Sequence, residues 1–112
     1  MKLIIQSLED KEILGRVSQT RTGNFVVEAR DKVLEGDIAD MVERIASANP
    51  ILPLRSGRTI REKEKIRHET VVRQCRRGEP SYLYALADYI SQKEFRKQNK
   101  IAGKEVLAYI EK

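Results

Sequence analysis

Along the first 30 residues, short apolar runs broken by polar residues read as β structure. KLIIQSL, EILGRVSQ and NFVVEAR are rich in β-branched residues, and the TRTG between the last two ends in glycine, so a β-hairpin is expected there. In the second arm Phe25, Val27 and Ala29 share one face, while Val26, Glu28 and Arg30 share the other. One covered face and one wetter face is the pattern of an antiparallel sheet.

The period then lengthens. In GDIADMVERIASANP, residues Ile38, Met41, Val42 and Ile45 recur at i, i+3, i+4 and i+7, which predicts a helix over 37–48 lying on the apolar face of the hairpin. Asp37 is its expected N-cap, and Asn49-Pro50 its expected end, because a residue before proline avoids the α region. PILPL predicts an extended connector whose two prolines argue against a helix or a central strand.

Three helices are expected after the connector. Thr59 and Glu62 form a T-x-x-E capping box, and Gly78 with Pro80 two residues later supplies a stop. Ile60, Val71 and Cys75 would lie on one side of this helix, a narrow stripe that suits a peripheral element. PSYLYALADYI predicts the next helix, with Tyr82, Leu83, Leu86, Ala87 and Ile90 inward. Ser91 and Glu94 form a second box and predict a helix over 92–110, with Phe95, Ala102, Val106, Tyr109 and Ile110 on one face. Gly103 lowers the stability of that helix by about 1 kcal/mol and is the point where it would break. The expected fold class is therefore α+β: an N-terminal antiparallel β-hairpin or three-stranded sheet covered by one helix, then a three-helix C-terminal region. It divides into a sheet unit (1–49), a connector (50–58) and a helical unit (59–112), packed as one domain.

Composition narrows the function classes. With 40% apolar and 35% charged residues, 112 residues can bury a modest core beneath a large solvated surface. The single cysteine, Cys75, rules out an internal disulfide and a cysteine-rich zinc site, which fits a reducing compartment. No apolar run approaches a membrane span, and the three-residue run Leu3–Ile5 is too short for a signal peptide, so a cytoplasmic protein with no membrane partner is expected.

Charge changes the picture more. Residues 1–54 hold seven basic and nine acidic side chains, residues 55–77 nine and three, and residues 78–112 six and five. All of the net +5 thus comes from PLRSGRTIREKEKIRHETVVRQCRRGEP, and such asymmetry points to an anionic partner. Read as a helix, this stretch pairs Glu69 with Arg73, Arg58 with Glu62 and Glu62 with Lys65, leaving unanswered charge at its ends. Arg55, Ser56 and Arg58 precede the expected helix N-terminus, a ready anion site, and Arg73, Arg76 and Arg77 precede its glycine stop. Lys93, Lys97, Lys100 and Lys104 would form a stripe opposite the apolar face of the last helix, suited to solubility or to a phosphate backbone. With Arg61 and Lys65, these are the candidate nucleic-acid or anion-binding residues, and Tyr84 is the tyrosine best placed to stack on a base.

Catalytic arrangements are not supported. His68 and Cys75 on one helix side would be roughly 10 Å apart, too far for a dyad. His68-Glu69 begins H-E-x-x-H, but position 72 is Val, and Asp37 and Asp40 suit capping better than acid–base work. The expectation is a non-enzymatic protein without metal or cofactor that contacts the phosphates of DNA or RNA. The alternative is a regulatory subunit that docks an acidic protein or forms a homodimer.

Overall fold

The computed structural model describes the backbone of residues 1–48, 51–63 and 65–111; within 51–62 and 65–76 it describes the side chains of Leu52, Lys65, Cys75 and Arg76 only. Strands β1 (Lys2–Ser7), β2 (Ile13–Gln19) and β3 (Phe25–Ala29) are followed by helix α1 (Lys32–Ala48). Strands β4 (Ile51–Glu62) and β5 (Lys65–Arg76) come next, then helices α2 (Tyr82–Ser91) and α3 (Lys93–Gln98) and strand β6 (Val106–Glu111). The fold is α+β. One antiparallel sheet has the order β3-β2-β1-β6, and β4 and β5 form a separate two-stranded ribbon.

The period-2 pattern of the first strands decides which face of the sheet is covered. Leu3, Ile5 and Val17 are fully buried, with Phe25, Val27, Ala29, Ala108 and Ile110 packed around them. α1 covers the β2–β3 half of this face and α2 the β1–β6 half. α1 contributes Leu34, Ile38, Met41, Val42 and Ile45, and α2 contributes Tyr82, Leu83, Ala85, Leu86, Ala87 and Ile90, the set expected of each helix with Leu34 and Ala85 added. On the opposite face Ile4 is also fully buried, between its cross-strand neighbours Arg16 and Tyr109. The long side chains of the ion pairs Lys2–Glu28 (3.2 Å) and Arg16–Glu111 (3.9 Å) span that outer face and shield apolar surface without a second layer.

α1 begins five residues before the expected start. Asp31, not Asp37, caps it: its Oδ1 accepts from the Leu34 N–H at 2.9 Å, and its carbonyl accepts from the Glu35 N–H. The expected stop at Asn49-Pro50 lies outside the described residues.

The region expected as three helices holds two. The first expected helix is a hairpin: β4 and β5 pair antiparallel over twelve consecutive positions, from Ile51↔Arg76 to Glu62↔Lys65, with no register shift. The capping box and i, i+4 charge pairs that suggested a helix are worth only a few tenths to about 1 kcal/mol each. Against them stand six β-branched residues between Thr59 and Val72, which favour strand. Burial of Leu52 and its register partner Cys75 anchors both strands in the core. Pro53 is tolerated because each strand of a two-stranded ribbon has an unpaired side. The turn is tight, with Lys63 in the left-handed region at φ 43°.

The helix expected over 92–110 is cut short as well: it ends at Gln98, five residues before the glycine singled out in the sequence. Ala102 (φ 52°) and Gly103 (φ 74°) form a two-residue turn in which Ile101 and Lys104 exchange backbone hydrogen bonds of 3.0 and 2.9 Å. β6 then runs back alongside β1. Ser91, expected to cap a helix, serves β6 instead: its Oγ accepts from the Ala108 N–H and donates to the Ala108 carbonyl, both at 3.0 Å. It thereby occupies an edge position that another strand would otherwise pair with.

Gly15 sets the distance between α1 and the sheet. A Cβ there would lie 2.5 Å from Ile38 Cδ1 and 2.9 Å from the Glu28 carbonyl oxygen. Gly15→Ala is expected to destabilise the protein by about 1–3 kcal/mol, the range for overpacking a tight core. Adding Ile38→Val should recover part of the loss, as measured by urea denaturation.

Candidate nucleic-acid interface

The ribbon β4–β5 carries the chain's entire net charge. Residues 51–76 hold eight basic side chains and three acidic ones, which leaves fourteen of each sign in the rest of the chain. A neutral body therefore carries an arm of net +5. The radius of gyration is 15.7 Å, against about 13 Å for a compact domain of this length, and the molecule extends 57 Å along its longest axis. α2 packs against both strands of the ribbon, where Leu52 and Cys75 are buried among the described side chains.

Register arranges the charge along the ribbon. Arg58 stands opposite Glu69 and Lys65 opposite Glu62, positions where opposite charges attract across an antiparallel pair. Five arginines stand opposite aliphatic residues instead: Arg55↔Val72, Arg61↔Ile66, Arg67↔Ile60, Arg73↔Leu54 and Arg76↔Ile51. Lys63 is exposed at the turn. Of the candidates named from sequence, Arg55, Ser56, Arg58, Arg61, Lys65, Arg73 and Arg76 all fall on this one ribbon. Arg55, Ser56 and Arg58 do not precede a helix N-terminus, so the anion site expected from a helix dipole does not form there. Lys63 and Arg67, left out of the candidates from sequence, belong to the same ribbon. A helical projection scatters them among glutamates, whereas the density of β-branched residues was the signal for the ladder.

Arg77, one residue beyond β5, holds the base of the arm. Its Nη2 donates to Glu43 Oε1 on α1 at 2.6 Å, and its Nε donates to the Gly23 carbonyl in the β2–β3 turn. Its guanidinium carbon lies 4.5 Å from the centroid of the Phe25 ring, a cation–π contact, and Phe25 in turn stacks on Tyr82 of α2 at 6.2 Å. Gly23 (φ 86°) and Gly78 (φ 95°) meet at this junction, and a Cβ on Gly23 would come within 2.9 Å of Arg77 Cγ. Gln19 completes it, accepting from the Gly78 N–H at 3.2 Å and donating to the Glu79 carbonyl at 2.6 Å.

The four lysines do not form one stripe. Lys93 and Lys97 are exposed on α3 and Lys100 is exposed just beyond it, whereas Lys104 lies in the Ala102-Gly103 turn. Lys104 Nζ pairs with Asp10 at 2.8 Å and Glu12 at 3.5 Å. That hydrogen bond, with another from the Glu12 backbone N–H, lowers the Asp10 carboxyl to about 2, and the same partnership raises Lys104. Tyr82 is in the core, Tyr89 packs on Phe95 at 5.1 Å, Tyr84 is half-buried on α2, and Tyr109 is exposed on the outer sheet face. His68 and Cys75 do not share a helix side: they lie seven residues apart on β5, roughly 23 Å along a strand and on alternate faces. Among the described residues no group of three or more His, Cys, Asp or Glu side chains could hold a metal ion, and no helix is long and apolar enough to cross a membrane.

No protein family, curated protein or solved structure matches this chain.

Two outcomes are expected from these contacts. Arg77→Ala should cost about 1–3 kcal/mol in urea denaturation, since it removes a charged hydrogen bond to backbone and a cation–π contact. Arg77→Lys should recover only part of that cost, because an ammonium cannot serve Gly23 and Glu43 with one planar fork. The Asp10 carboxyl is lowered on folding, so its stabilising effect is present above the ordinary carboxylate range and lost as pH falls through about 2. The stability gap between wild type and Asp10→Asn should therefore be open at neutral pH and close progressively as pH falls from about 5 to about 2.

Proposed function

We propose that this protein binds nucleic acid through the β4–β5 arm, by contact with phosphates and without catalysis. The observation that carries this reading is the segregation of charge: a body with equal numbers of acidic and basic residues bears a two-stranded ribbon with eight basic residues and three acidic ones. A surface built only for solubility would spread its charge over the body. Concentrating it on a slender ribbon raises the local field where a polyanion can approach.

Phosphates are the natural partners because arginine forks match their geometry and binding releases condensed counterions. Setting aside Arg58 and Lys65, which stand opposite glutamates, six basic positions remain on the arm: Arg55, Arg61, Lys63, Arg67, Arg73 and Arg76. Exposed Lys93 and Lys97 on α3 are candidates for additional backbone contacts.

The acidic residues Asp37, Asp40 and Glu43 on α1 favour a second reading, in which the arm of one copy docks on the body of another. Light scattering separates the two. A dimer that dissociates with salt in a protein that ignores DNA and RNA supports self-association, and a salt-independent monomer excludes it.

For nucleic-acid binding, neutralising about six phosphates of duplex DNA should give log K a slope near −5 against log[salt]. Replacing Arg55, Arg61 and Arg76 together with glutamine should weaken binding at least tenfold at low salt and reduce that slope by up to about 3. Flat salt dependence, or no binding of any nucleic acid at low salt, would overturn the reading.

A further inference from the structure

The pairing of β4 with β5 divides the arm's residues between two faces of unlike chemistry, because directly opposed residues share a face and successive residues alternate. One face runs from Leu52↔Cys75 to Glu62↔Lys65 and contains both paired glutamates of the ribbon, Glu62 and Glu69. The other runs from Ile51↔Arg76 to Arg61↔Ile66 and contains no acidic residue. At the base the two faces part company. Leu52 and Cys75, at 1% and 0% exposure, are fixed in the core, whereas Arg76, on the acid-free face, is exposed.

From this geometry, and resting on the reading of the arm as a nucleic-acid-binding element, we infer that the ligand is duplex DNA and that the acid-free face enters its major groove. Three physical points select this arrangement. A major groove about 12 Å wide admits a two-stranded β-ribbon. The arm's twelve register pairs span roughly 40 Å at about 3.3 Å per residue, slightly more than one turn of B-DNA. The corresponding groove of A-form RNA is too deep and narrow for side chains to read.

The acid-free face also holds the residue types that read base edges. Arg55, Arg61 and Arg76 are suited to guanine O6 and N7, Gln74 to adenine N6 and N7, and Thr59 and Thr70 to either partner or to a thymine methyl. Gly57, opposite Thr70, leaves one position of that face without a side chain, where the backbone can approach the floor of the groove. An acidic residue among the bases would repel flanking phosphates, and this face has none. The other face, with Glu62 and Glu69 among its positions, is the one turned from the duplex.

Two double variants that remove equal charge test the facing. Arg55→Gln/Arg61→Gln alters the acid-free face, and Arg67→Gln/Arg73→Gln alters the other. Affinity is measured for a duplex of about 20 base pairs at two salt concentrations, with thermal midpoints confirming that both variants fold. The first pair is expected to lose about tenfold or more in affinity, and the second less than about threefold. On the wild-type complex, guanine N7 should be protected from methylation across about one helical turn. Equal losses in the two variants, or protection confined to minor-groove adenine N3, would overturn the facing while leaving nucleic-acid binding intact. Tighter binding to structured RNA or to single strands than to duplex DNA would overturn the choice of ligand. Failure of the wild type to bind any nucleic acid would remove the underlying reading itself.

Discussion

The arm depends on one side chain at its root. Arg77 joins α1 through Glu43, the β2–β3 turn through the Gly23 carbonyl, and the Phe25–Tyr82 stack through its guanidinium face. A two-stranded ribbon has no third strand to hold it and is at best marginally stable alone. Its direction must therefore come from its root. The buried Leu52–Cys75 pair supplies apolar anchorage, and Arg77 with Gln19 supplies polar anchorage to three other elements. Arg77 belongs to the presenting structure, and the charge to be presented lies beyond it.

Segregation of charge follows from the same construction. On the body, basic residues answer nearby acids: Lys2 with Glu28, Arg16 with Glu111, Arg30 with Glu12, and Lys104 with Asp10 and Glu12. These exposed pairs add little stability individually, but they leave the body electrically quiet. The arm is different because a ladder fixes which residues stand opposite one another, and only two of its basic positions stand opposite an acid. Local balance on the body and imbalance on the ribbon focus the field at the place where a polyanion would bind.

How much of this was legible in the sequence depends on the range of the interactions. The strand-like runs of the first 30 residues with the alternation in Phe25–Ala29, the spacing of Ile38, Met41, Val42 and Ile45, and the inward set of α2 are local patterns, and each matches the structure. The location of the charge was legible too, since it requires only counting. The β-branched density of 59–72 signals strands, but the register of the ladder was not legible, because Leu52 meets Cys75 across 23 residues and no local signal records that pairing. Thr59 and Glu62 satisfy a capping motif equally well whether or not a helix follows. The same limit hid β6. Val106, Ala108 and Ile110 fit a strand, but the partner that makes them one is β1, at the other end of the chain. Gly103 marks the turn into β6, although the helix has already ended at Gln98, and the narrow stripe of Ile60, Val71 and Cys75 was a warning in the arm. A helix that buries so little has little tertiary reason to form.

The claim joining these parts is that a neutral body holds out a charged ribbon for a duplex. Its most direct test is chemical-shift mapping of the ¹⁵N-labelled protein during titration with a short DNA duplex. Shift changes and broadening should be confined to the backbone amides of 54–76 and those around Lys93 and Lys97, while those of Leu3, Ile38 and Leu86 in the core stay unperturbed. Changes centred on α1 around Asp37 and Asp40, or no changes at low salt, would contradict the account.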